Sequence, residues 1–110
     1  MTKPIDPTVS VEYILANSPD FAQAKAKRIY LEEFRKSKKA MLMCQSPAKS
    51  AVEREQFAYA HEEYTALLLG IKAAVETEET TRWGLIAAQA TIEIWRTQCA
   101  NNRSQDRNLQ

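Results

Sequence analysis

A chain of 110 residues with 45% hydrophobic and 26% charged side chains is one domain's worth of ordinary globular composition, too apolar for general disorder. A domain of this size buries only about two thirds of its unfolded surface, so its core is modest. A formal net charge of +1 is poor footing for tight binding to a polyanion through bulk charge.

No apolar run approaches the roughly 20 residues that span a bilayer, and the first residues lack the apolar stretch of a signal peptide. The chain is therefore expected to be soluble and to stay inside a cell, without membrane contact. Cys44, Cys99 and the single His61 are too few soft ligands for a structural zinc site, and no metal is expected. Buried free thiols are the default in a reducing compartment, with pairing of the two cysteines as the alternative.

The first predicted helix covers residues 9–16, behind the capping Asp6 and the helix-compatible Pro7. Ser18-Pro19-Asp20 repeats that logic, since Ser18 can cap, Pro19 fits a first helical position and Asp20 favours the positive end of the dipole. A second helix is thus predicted over 19–44, closed by Gln45-Ser46-Pro47 because the residue before a proline is pushed out of the helical region. Ser50 and Glu53 form a capping box that opens a third helix.

From Phe57 onward, steps of three and four mark Phe57, Ala60, Tyr64, Leu67, Ile71, Ala74, Glu78, Thr81, Leu85, Ala88, Ile92, Trp95 and Cys99, eleven of the thirteen apolar or aromatic. This is the seam of a coiled coil or helical hairpin. Its exceptions, Glu78 and Thr81, lie in the helix-poor segment 76–81, where either a turn or an exposed waist fits. The unbroken register and the lack of Gly or Pro there favour one continuous helix over 51–100.

Such a helix would be roughly 75 Å long and the second helix only about 39 Å, leaving half of the long one without an intramolecular partner. A second stripe, Tyr59, Ala66, Leu69, Ala73, Trp83, Ala87, Ala90 and Ile94, lies on the opposite face. A helix apolar on two faces needs neighbours on both. A homo-oligomer follows, with Tyr59, Leu69, Trp83, Ile86 and Ile94 as its interface residues. The alternative is a compact four-helix monomer broken near Thr80. The expected fold class is all-α: a short helix, a medium basic helix and a long amphipathic helix in one domain over 1–100. A loose polar tail over 101–110 would follow it.

Charge is divided along the chain. Residues 21–49 carry eight basic side chains against Glu32 and Glu33, whereas 50–80 carry Arg54 and Lys72 against seven glutamates. Two readings follow. Lys25, Lys27, Arg28, Arg35, Lys36, Lys38 and Lys39, with Arg96, track a phosphate backbone while Trp83 stacks on a base. Otherwise, the opposite charges bring two antiparallel helices together and solvate their outer faces. Trp95, on the main seam, is expected between helices.

No catalytic site is expected: the chain has no Gly-rich phosphate loop, no Gly-x-Ser-x-Gly elbow and no Glu-x-x-His of a di-iron bundle. No cofactor or small-molecule substrate is implied, and His61-Glu62-Glu63-Tyr64 reads as a solvated helix face.

Three segments together resemble a known group. They are Arg28-Ile-Tyr-Leu-Glu-Glu-Phe-Arg-Lys-Ser-Lys-Lys-Ala-Met-Leu-Met43, Ala58-Tyr-Ala-His-Glu-Glu-Tyr64, and Arg82-Trp83 with Ala87-Ala-Gln-Ala-Thr-Ile-Glu-Ile-Trp-Arg96 and Asn101-Asn-Arg103. The pattern is similar to small helical proteins of tailed bacteriophages and prophages, often encoded near recombination and replication genes such as those of single-strand annealing proteins. The resemblance implies an accessory of DNA recombination or replication in the cytoplasm of an infected bacterium. Its partners would be single-stranded DNA or a phage recombinase. A protein-binding adaptor that touches no DNA is the alternative.

Overall fold

A computed structural model of the chain describes residues 3–109. It contains three helices and, among the described residues, no strand: α1 is Pro7–Gln45, α2 is Ala51–Ala60 and α3 is Glu62–Leu109. The chain divides into two compact units, one of residues 22–79 and one joining the N-terminal segment through Phe21 to the segment from Thr80.

Asp6 starts α1 as expected, accepting the Thr8 N–H on its carboxylate at 2.9 Å and the Val9 N–H on its carbonyl at 3.2 Å. The predicted break before Pro19 does not occur, because α1 runs through Pro19 without interruption. A proline inside a helix removes one backbone hydrogen bond and costs about 3 kcal/mol. The carbonyl that loses its donor to Pro19 is that of Leu15; the two before it, of Tyr13 and Ile14, take additional side-chain donors, from Asn17 at 2.8 Å and Ser18 at 2.6 Å. Asn17 and Ser18 therefore bond backward into the existing helix and do not cap a new one.

The opposite departure occurs at His61. A continuous helix from Ala51 is interrupted by this one residue, which is extended at φ −72° and ψ 141° and accepts the Glu63 N–H on its Nδ1 at 3.1 Å. The imidazole thus caps α3, and Glu62 and Glu63 place negative charge in the first turn, where the helix dipole favours it. Ser50 caps α2 as expected, accepting the Glu53 N–H at 3.4 Å.

Segment 76–81 is helical throughout, so the long helix has neither turn nor break there. Helix α3 also continues through Leu109, so residues 101–109 are helical, not a loose tail, although every one of them is exposed. Its last turn carries Arg107, which complements the C-terminal end of the dipole.

Within the unit of residues 22–79, Lys38 meets Glu63 and Arg28 meets Glu78, so α1 and α3 run in opposite directions. Leu42, Ala58 and Tyr64 form the core, with Met43 packed against them. In the other unit the ring of Tyr13 covers Gly84, and Val9, Ser10, Tyr13, Gly84, Ala87, Ala88 and Thr91 line a shallow groove. The fused α1 has 39 residues against 48 in α3, so the second helix is not the 26-residue one expected and the two lengths no longer differ by half.

The seam itself is seen. Of its thirteen positions all but Ala60 are buried or half-buried, including Glu78 and Thr81. Ala60 is exposed and Ala58 is buried in its place, because the interruption at His61 rotates α2 relative to a continuous helix.

Candidate nucleic-acid interface

The basic side chains of α1 fall into two groups. The inward group is tied to acidic partners on the neighbouring helices. The Arg28 guanidinium bonds both carboxylate oxygens of Glu78 through Nε and Nη2, the latter at 3.1 Å, and reaches Glu32 through Nη1 at 2.9 Å. Lys38 pairs with Glu63 at 3.0 Å, and Lys39 donates to Glu55 at 2.6 Å.

These bonds set the protonation of the cluster. The Arg28 hydrogen bond holds the Glu78 carboxyl below its ordinary value although burial acts the other way. Lys38 does the same to Glu63, and Lys39 to Glu55, in each case first through the hydrogen bond and then through charge. In return Glu78 raises Arg28, and Glu55 holds the Lys39 ammonium well above the usual lysine range. Arg28, Lys38 and Lys39 are therefore internal ion-pair partners, as the helix-steering reading predicts.

The outward group is Lys25, Lys27, Arg35 and Lys36, all exposed. Lys36 lies 3.6 Å from Glu33 with both side chains in solvent, a pairing of little energetic weight. Among the described residues, Lys25, Lys27 and Arg35 make no ion pair. Arg35 and Lys36 also border an open groove of about 310 Å³, together with Lys39, Tyr59 and Tyr64.

Two aromatic side chains complete this groove. The Lys39 ammonium lies over the Tyr59 ring, 4.8 Å from its centroid, and Tyr64 meets the same ring edge-on at 5.3 Å. Tyr59 is nevertheless 48% exposed, whereas Tyr64 is buried. Sequence reasoning placed Tyr59 in an oligomer interface and Tyr64 on the seam, and missed their meeting with Arg35 and Lys36. The capping pattern His61-Glu62-Glu63 is the signal that could have revealed it, since the interruption there sets the angle of α2.

The other predicted nucleic-acid residues, Trp83 and Arg96, belong to the second unit. Trp83 is 59% exposed with the Arg82 guanidinium 4.9 Å from its ring centroid, an aromatic and cationic pair. Arg96 is exposed and bonds Glu93 at 3.0 Å. Trp95 is half-buried on the seam.

All eight positions of the second apolar stripe are exposed. Of the predicted interface residues Tyr59, Leu69, Trp83 and Ile94 are open to solvent, and Ile86 is half-buried. Cys44 is exposed and Cys99 half-buried, both as free thiols, so the expectation of two buried thiols fails for Cys44. Among the described residues no cluster of three or more His, Cys, Asp or Glu side chains could hold a metal ion, and no helix is long and apolar enough to cross a membrane. No family model, curated protein or solved structure matches this chain.

Proposed function

We propose that this chain is a non-enzymatic accessory of phage DNA recombination or replication, acting in the cytoplasm of the infected host. As a coiled-coil-like helical oligomer it binds single-stranded DNA or a recombinase and helps to load one on the other. The observation that carries the DNA part is the set of exposed cations, Lys25, Lys27, Arg35 and Lys36, that remain on α1 without a cross-helix ion pair once Arg28, Lys38 and Lys39 have taken acidic partners. Small net charge is compatible with this, because binding to a strand depends on where the unpaired cations of α1 stand and not on the sum over the chain.

Contacts to phosphate release counterions, so affinity for a single strand should fall steeply and log-linearly with salt. Reversing Arg35→Glu with Lys36→Glu should weaken binding at low salt at least about tenfold and flatten the salt slope by about two. Unchanged affinity in the double variant would make the phosphate assignment wrong.

A second reading is favoured by the eight exposed stripe positions: a protein-binding adaptor that receives an amphipathic helix and touches no DNA. It predicts no retention on single-stranded DNA even in dilute buffer, together with recovery of a helical partner.

A further inference from the structure

Resting on the DNA-binding reading, we infer that the groove bordered by Arg35, Lys36, Lys39, Tyr59 and Tyr64 takes one unpaired nucleotide of a strand. Tyr59 meets the base, and Arg35 and Lys36 meet the flanking phosphates. The division of labour follows from which charges are already spent. Lys39 is consumed by Glu55 at 2.6 Å and lies over the Tyr59 ring, so it anchors the aromatic group and adds little net attraction for phosphate.

Tyr64 packs on the same ring at a steep angle, 75° at 5.3 Å, and Tyr59 retains 48% exposure despite two neighbours. A braced but open aromatic loses little conformational entropy when a base packs on it, and every base offers a π-face. Arg35 and Lys36 are consecutive on α1, exposed, and on the rim of the same groove. A duplex hides its bases in the stack, so it could use the two cations but not Tyr59. The ligand class is therefore a phosphodiester strand with unpaired bases, of DNA or of RNA.

The test is anisotropy of the full chain with four labelled oligomers of one length: oligothymidylate, oligouridylate, an abasic deoxy strand and a duplex. Wild type should bind the thymidylate or the uridylate strand more tightly than the abasic strand, and whichever is tighter identifies the source. Tyr59→Ala should lose about tenfold on the base-bearing strand and nothing on the abasic one, while Tyr59→Phe keeps wild-type affinity. An assembly or folding defect would instead lower both strands together, and helicity and mass measured on the same sample keep that outcome separate. Arg35→Gln with Lys36→Gln should weaken all four oligomers about equally. If wild type binds single strands but Tyr59→Ala does so equally well, or if the duplex is preferred, this inference is overturned while the DNA-binding reading stands. If wild type retains no strand at all, that broader reading falls first.

Discussion

Leu42 is the one large side chain among the described residues that is wholly removed from water, and it packs with Ala58 and Tyr64. The other buried apolar residues are mostly alanines, Ala24, Ala58, Ala74 and Ala88, so little apolar area backs up this cluster. Leu42→Ala should therefore cost about 2–5 kcal/mol, measured by urea unfolding followed by circular dichroism, and a loss below about 1 kcal/mol would show that the cluster is not the core. The two glycines differ in what an added methyl would meet. A methyl at Gly70 meets nothing, so Gly70→Ala should stabilise α3 by about 0.5–1 kcal/mol through helix propensity. At Gly84 the same methyl runs into the Tyr13 hydroxyl, and the ring must shift to admit it. Single residues were also where sequence reading was weakest. Pro19 has the look of a helix start, and only its neighbours' backward hydrogen bonds reveal that the helix passes through it. His61 has the look of one more solvated helical residue, because an imidazole acceptor at a cap is outside the usual Ser, Thr, Asp and Asn set.

At the scale of elements, periodicity was the dependable signal. The eleven seam positions from Tyr64 onward located the packed face of α3 on both sides of the helix-poor segment at 76–81, and burial of Glu78 there is explained by Arg28, a partner fifty residues away that periodicity alone does not reveal. The charge division was legible in the same way, as helices drawn together by opposite charge. Which cations remain outside was not, since that depends on rotation of α1 about its own axis. The three cross-helix pairs make a pH prediction. Glu55, Glu63 and Glu78 are each held below an ordinary value near 4.5 in the folded chain. Their contribution is thus complete above that value and is lost as pH falls through the lower folded values. Thermal melts should give a nearly constant Tm between about pH 7 and pH 5, and a decline below about pH 4.5. Glu78→Gln, which removes the cross-helix carboxylate of Arg28 and leaves it only Glu32 on its own helix, should lower Tm at neutral pH and reduce the acid decline. A Tm equally steep in acid for wild type and variant would mean that this pair does not link the helices.

For the whole molecule the deciding question is what covers the outer face of α3. Leu69 at 61% exposure, Trp83 at 59% and Ile94 at 52% stand in solvent, along with Leu68, so the stripe positions on α3 are left open by the fold. The original case for an oligomer had two legs. The mismatch of helix lengths shrinks to 39 residues against 48 once α1 is one helix, and the two-faced distribution of apolar side chains remains. Exposed charges add a second consideration: Lys25, Lys27, Arg35 and Lys36 on α1 are matched by exposed Glu53, Glu62 and Glu76 on α2 and α3, so copies of one chain can offer each other complementary faces. Scattered apolar residues on a surface need no explanation, but seven at helical spacing along α3 do. If self-association buries them, a charge placed in the stripe must be desolvated unpaired, at about 2 kcal/mol or more per site, or roughly thirtyfold in association. Leu69→Glu and Ile94→Glu should each shift the sedimentation-derived mass toward that of a single chain at concentrations where wild type is associated, and together they should do so at higher concentration still. Neither substitution touches Leu42 or the Arg28–Glu78 pair, so helicity should be retained. A wild-type chain that sediments as one copy at all accessible concentrations would leave the stripe to a foreign helix and move the balance to the adaptor reading.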